Sequence, residues 1–172
     1  MKAVLISIQP KWCELIASGK KTVEVRKTRP KLETPFKCYI YCTKDEPLYH
    51  SGEKFWCKKA GDFGNGKVIG EFVCDKMCES FLNNNDGWFV EKGCLTQEEI
   101  DKYQGDKPIL YGWHISNLVI YDNPRSLREF YHNCTQPSGT DCAICHDRCV
   151  QKCGQITRAP QSWCYVELLK GE

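Results

Sequence analysis

The chain lacks any apolar stretch of membrane-spanning length. Its opening run, Ala3 to Ile8, gives way at once to Gln9 and Pro10 and is too short for a membrane helix or a signal-peptide core. It also lacks internal repeats and low-complexity tracts, which excludes a solenoid and a fibre. Net charge is scarce too: 24 basic residues stand against 22 acidic ones, a formal +2, so the average gives no polyanion-binding signature. Hydrophobic residues at 41% and charged residues at 27% are ordinary for a globular chain. At 172 residues it fits one domain, able to bury roughly two thirds of the surface that its unfolded chain exposes.

Cysteine, by contrast, is abundant. Thirteen cysteines without an export signal point to reduced thiols or metal ligands in a cytoplasmic protein, and the odd number fits a disulfide framework poorly. Charge is also uneven: Lys20, Lys21, Arg26, Lys27, Arg29 and Lys31 face the single acid Glu24 over Lys20 to Lys31.

Hydrophobic periodicity predicts a strand at Ala3–Ile8, then a helix opened by Pro10, with Trp12, Leu15 and Ile16 on one face and an end near Ser18 before the capping Gly19. Thr22–Arg26 alternates strictly. Val23 and Val25 take one face of a half-buried strand, and Thr22, Glu24 and Arg26 take the other. Further strands are expected at Phe36–Thr43, Lys67–Cys74, Tyr111–Tyr121 and Ser162–Leu168. Thr96 opens a helix over Leu95–Tyr103, and Asn123 with Pro124 predicts another that ends near Phe130. Short strands with two or three small helices describe an α+β or barrel-like fold. Asp45–Gly66 and Tyr131–Pro160 have no clear period, and the second is long for an unorganised loop.

On one strand face, Glu24 and Arg26 lie about 7 Å apart. A guanidinium forks onto phosphate or a base edge, a carboxylate accepts from an exocyclic amine, and Lys21 adds a point charge. The same residues on an arbitrary strand would be a solvated ion pair. Strict alternation would send Lys21 to the valine face unless the strand begins only at Thr22. Trp113, His114, Gln161, Ser162 and Trp163 are further candidates, because aromatic faces stack bases while amides and hydroxyls read their edges. A strand tryptophan also serves as core.

Five cysteines cluster as C-x7-C-x2-C-x3-C-x3-C. Cys142 and Cys145 have the spacing of a zinc loop, and Cys149 and Cys153 follow at helical spacing. These four can share one structural zinc, with Cys134 as the replacement for any one of them. Unligated thiols, or disulfides formed on isolation, are the alternative. The segment CAICHDRC lacks the H-x-E and P-C-x-x-C pair of zinc deaminases, so the site reads as structural. The remaining cysteines read as small apolar residues.

The segment SGKKTVEVR resembles the pattern that marks the ASCH family, Gly-x-Lys-(Ser/Thr)-x-Glu-x-Arg, through Gly19, Lys21, Thr22, Glu24 and Arg26. LISIQPKW, YIYCTK, YGWHISNLVIYDNP and APQSWCYVE are similar to the family in the same order, with Tyr131–Pro160 as the main departure. The resemblance implies a small PUA-like β-barrel over 1–172, carrying a Cys-rich insert at 131–160. It also implies a cleft beside the motif that binds RNA or a modified nucleoside. The family includes acetylcytidine hydrolases in which the motif lysine works with a threonine where this chain has Glu24. If catalysis occurs here, Lys21, Glu24 and Arg26 are its candidates, toward acetylated cytidine or RNA. A zinc-stabilised protein-interaction adaptor is the third reading, and fold is better fixed than function.

Overall fold

In the computed structural model, which describes residues 2–44, 66–81, 87–132 and 154–169, the apolar run at the N-terminus forms β1 (Lys2–Ile8). It is continuous because both of its faces are buried. Val4, Ile6 and Ile8 point into one core with Cys38, Ile40 and Phe72, while Ala3 and Leu5 point into a second with Tyr39, Val68 and Val166. β1 sits between β3 (Phe36–Cys42), to which it is parallel, and β8 (Trp163–Glu167), to which it is antiparallel. β4 (Lys67–Cys74) and β7 (Ser116–Arg125) complete a five-stranded sheet in the order β7-β4-β3-β1-β8.

β2 (Val23–Arg26), β6 (Ile109–His114) and β5 (Met77–Phe81) form a second sheet, ordered β2-β6-β5. The valine face of β2 packs with Leu110 under α2 (Trp88–Gly93) and α3 (Gln97–Gln104), through Phe89 and Ile100. The opposite face of this sheet turns inward, where Trp113 is wholly buried with the residues of β1, β3 and β4. α1 (Pro10–Ala17) adds Cys13 and Ile16 to that core.

The architecture is α+β, but the expected closed barrel is not formed: the strands lie in two separate hydrogen-bonded sheets. The chain passes between them at Asp75 and Lys76 and again at Ile115, so that corner is continuous. On the opposite side, β1 and β2 share no ladder. Arg26 bridges that side instead, donating from Nη2 to the Ser7 carbonyl (2.5 Å) and from Nη1 to Ser162 Oγ (3.4 Å).

Two sequence expectations change. Tyr111–Tyr121 is two strands in different sheets, separated at Ile115. The helix expected from Asn123 and Pro124 is absent because both belong to β7, an edge strand, where a proline forfeits no ladder partner. Ser126 is the cap there, closing a box with Glu129 around a single 3-10 turn (Leu127–Glu129). The expected strands near Ala3, Phe36, Lys67 and Ser162, the Pro10 helix and the Thr96 helix all form.

The described cysteines, Cys13, Cys38, Cys42, Cys74, Cys78, Cys94 and Cys164, are free thiols. Burial pushes the Cys74 thiol up to about 12 and raises Cys38 as well, so these behave as apolar side chains. Cys134, Cys142, Cys145, Cys149 and Cys153 lie outside the described residues, as does most of Asp45–Gly66. The two flanks of the cysteine cluster meet: His132 donates to Gly154 O (2.7 Å), Tyr131 bridges Gln155, and Phe130 and Ile156 are buried together against Tyr39. No helix among the described residues is long and apolar enough to cross a membrane.

Candidate functional site

Where β1 and β2 part, a cleft of about 450 Å³ opens. Ser7, Ile8 and Gln9 line one wall and Gln161 with Ser162 another; Lys21, Glu24 and Arg26 contribute a charged trio, and Trp12, Leu95, Tyr103 and a second carboxylate, Glu99, stand on the helical side. The alternation of TVEVR builds this arrangement. Once the valines are committed to the layer under α2 and α3, Glu24 and Arg26 must face the interior gap between the sheets. The polar face is therefore buried: Glu24 is 5% exposed and Arg26 8%.

Lys21 reaches the same place because β2 begins at Val23, which frees Lys21 from the alternation. It is 3% exposed, donates to Gly93 O at the end of α2 (2.6 Å) and lies 3.5 Å from Glu24 Oε2. Glu24 Oε1 is 2.9 Å from Arg26 Nη2. One carboxylate thus sits between two cations, and the buried trio carries a net +1. Burying charges costs several kcal/mol apiece unless each is paired and hydrogen-bonded. Even so, Glu24 Oε2 and Arg26 Nε have no hydrogen-bond partner among the described residues.

The helical wall is also ordered. α1 starts after Gln9, whose carbonyl accepts from the Trp12 and Cys13 amides. Trp12 is flanked by Lys11 Nζ at 4.2 Å and Lys21 Nζ at 5.1 Å from its ring centroid. Glu99 and Tyr103, four residues apart, share one face of α3. The Glu99 carboxyl is held below its ordinary range by the Thr96 amide and then by Lys11, whose Nζ is 3.1 Å away. Burial pushes the Tyr103 phenol up, while the Arg26 guanidinium acts in the opposite direction.

Of the residues singled out from sequence, Lys21, Glu24, Arg26, Gln161 and Ser162 come together in the cleft. Thr22 does not line it: its amide donates to Lys92 O and its carbonyl accepts from Ile115 N. Trp113 is core, edge-on to Phe36, and its Nε1 has no partner among the described residues. His114 lies at the corner between the sheets, 2.6 Å from Asp75. Trp163 stands beside the cleft, donating from Nε1 to Thr28 Oγ1 at 3.0 Å. Sequence reasoning missed Trp12 and Tyr103 as wall residues, since each occupies an amphipathic helix whose apolar positions read as core.

The ASCH domain family matches residues 6–145 of the chain. The fold is similar to the crystal structure of ASCH from Zymomonas mobilis, at 19% identity and a TM-score of 0.54, covering 73% of each chain. A tyrosine-to-phenylalanine mutant of that protein superposes with a TM-score of 0.55 at 19% identity, covering 74% of this chain and 77% of the other. No curated protein sequence matches the chain.

Proposed function

This chain belongs to the ASCH domain family, and from that premise we propose that it is a binding module for RNA or a modified nucleoside, with the ligand in the cleft between β1 and β2. The observation that carries this reading is the buried Lys21, Glu24 and Arg26 trio, in which Glu24 Oε2, ion-paired with Lys21 at 3.5 Å, and Arg26 Nε have no hydrogen-bond partner among the described residues. Lys21 and Arg26 also brace the fold, through Gly93 O, Ser7 O and Ser162 Oγ, yet burying two cations with a single carboxylate is a costly way to gain stability alone. A nucleobase edge, with amine donors beside ring or carbonyl acceptors, is the chemical complement of a carboxylate beside a guanidinium. Trp12 and Tyr103 supply rings for its faces, and Gln161 and Ser162 supply amide and hydroxyl groups.

The trio also sets the expected chemistry. Glu24 is engaged by cations on both sides and stands where the related hydrolases have threonine, so no hydroxyl nucleophile is available at that position. The role we assign to it is recognition. Titration calorimetry with cytidine, acetylcytidine, adenosine and a short single-stranded RNA tests this. At least one should bind wild type, Arg26→Ala should lose at least tenfold in affinity, and the exposed Lys107→Ala should lose none. Equal binding by Arg26→Ala would place the ligand elsewhere. Turnover that disappears in Glu24→Gln while binding persists would replace recognition by hydrolysis.

A structural zinc at Cys142, Cys145, Cys149 and Cys153, or with Cys134 in place of one of them, is a separate proposal supported by spacing alone.

A further inference from the structure

The cleft contains two carboxylates, Glu24 on its floor and Glu99 on its helical wall, and its two buried cations are already engaged by Glu24. A phosphate entering it would meet both acids. Free positive charge lies just outside. Arg26 is followed by Lys27, half-exposed with Nζ 5.0 Å from the Tyr103 ring centroid, and then by the exposed Arg29 and Lys31. Among the described residues neither Lys27 nor Lys31 has a carboxylate within 4 Å, whereas Arg29 is 3.6 Å from Glu79.

This strip is held in place. Thr28 Oγ1 accepts from Trp163 Nε1, the Lys31 amide donates to Tyr165 Oη (2.7 Å), and Pro30 between them is buried. Trp163 follows Ser162, so the strip begins where the cleft wall ends. Lys2 Nζ lies 5.8 Å from the Tyr165 ring centroid and adds a cation at the β8 side. Five residues of chain put Lys31 at most about 18 Å from Arg26.

We infer that the cleft takes the base of one nucleotide within a single strand of RNA, and that the sugar–phosphate chain on one side of that nucleotide runs outside over Lys27, Arg29 and Lys31. This rests on the reading of the cleft above and adds that the ligand is a polynucleotide, bound base inward and phosphate outward. Aromatic rings interleaved with the cations suit a flexible strand, whose bases can turn out of stacking.

The test compares a nucleoside with a short single-stranded RNA containing it, across a salt series. The RNA should bind more tightly and with a salt slope, and the nucleoside with almost none. Lys31→Gln should reduce the RNA slope by about 0.7, the value of one phosphate contact on a single strand, and lower RNA affinity several-fold while leaving the nucleoside alone. Only the Lys31 main chain holds Tyr165, so folding is not at stake; thermal melting of the variant checks this. Inorganic phosphate or ribose 5-phosphate displacing the nucleoside as well as the free base does would overturn the orientation. A wild-type slope in Lys31→Gln, or equal competition by polyglutamate, would overturn the strip as a path for the strand. Failure of both nucleoside and RNA to bind would instead refute the cleft reading, and this proposal with it.

Discussion

Replacing Glu24 by glutamine probes the buried trio without changing its shape. The amide keeps the volume of the side chain but removes the charge that balances Arg26 at 2.9 Å and Lys21 at 3.5 Å, leaving two cations in a site that is more than nine-tenths buried. Breaking a buried pair by removing one partner costs about 3–5 kcal/mol, because the remaining charge is uncompensated. In a domain of this size that corresponds to a fall in Tm of roughly 6–20 °C. Urea unfolding followed by tryptophan fluorescence measures it, with an unchanged slope confirming that the folded state is as compact as before. Adding Lys21→Met should recover part of the loss by removing one surplus cation, although Gly93 O then forfeits its donor. The coupling between the two changes should fall at about 0.5–3 kcal/mol. A Glu24→Gln variant within about 0.5 kcal/mol of wild type would refute the reasoning, since that is the scale of a surface substitution.

Gly112→Ala should destabilise by about 1–3 kcal/mol, because a Cβ there would meet the Trp88 ring at 2.8 Å and the Phe89 ring at 3.1 Å; the same unfolding assay reads it. At the corner between the sheets, His114 holds the Asp75 carboxyl below its ordinary range. That contribution to stability is present above the unfolded pKa of about 3.9 and is lost as pH falls through the lower folded value, and His114→Gln should return the Asp75 titration, followed by carboxyl-carbon NMR, toward about 3.9. Protein purified without added metal should contain close to one zinc per chain by elemental analysis, and Cys145→Ser should lower that figure. A folded, metal-free protein with all five clustered thiols reactive would exclude the site.

Much of the fold was legible because local signals agreed with tertiary ones. The apolar run at Ala3–Ile8 reads as a strand and Thr96 as a helix cap; the structure adds that β1 is buried on both faces and that Thr96 closes a capping box with Glu99. Legibility fails where a pattern permits two outcomes. Alternation in TVEVR separates two faces but does not say which one faces the protein interior, and here helices cover the valines while the charges turn inward. YGWHISNLVIY carries no glycine or proline at Ile115 to mark the change of sheet, although Asn117, with a φ of 47°, is a residue type that tolerates the left-handed region. Asn123 and Pro124 are a valid helix start overridden by pairing of β7 with β4. Trp113 was a candidate base platform on its residue type, yet strand geometry places it opposite Glu24 on the interior face, packed against Phe36. Trp12 and Tyr103 escaped notice because sequence shows the helix and not the gap beside it.

The most direct test of the cleft is the NMR signal of the Arg26 Nε–H during titration with nucleosides and single-stranded RNA, assigned by comparison with Arg26→Lys. The Nε–H has no acceptor among the described residues, so a ligand that fills the cleft should shift it with the same Kd as calorimetry and slow its exchange with water. Binding that leaves this signal unmoved would contradict the assignment of the cleft as the nucleotide site.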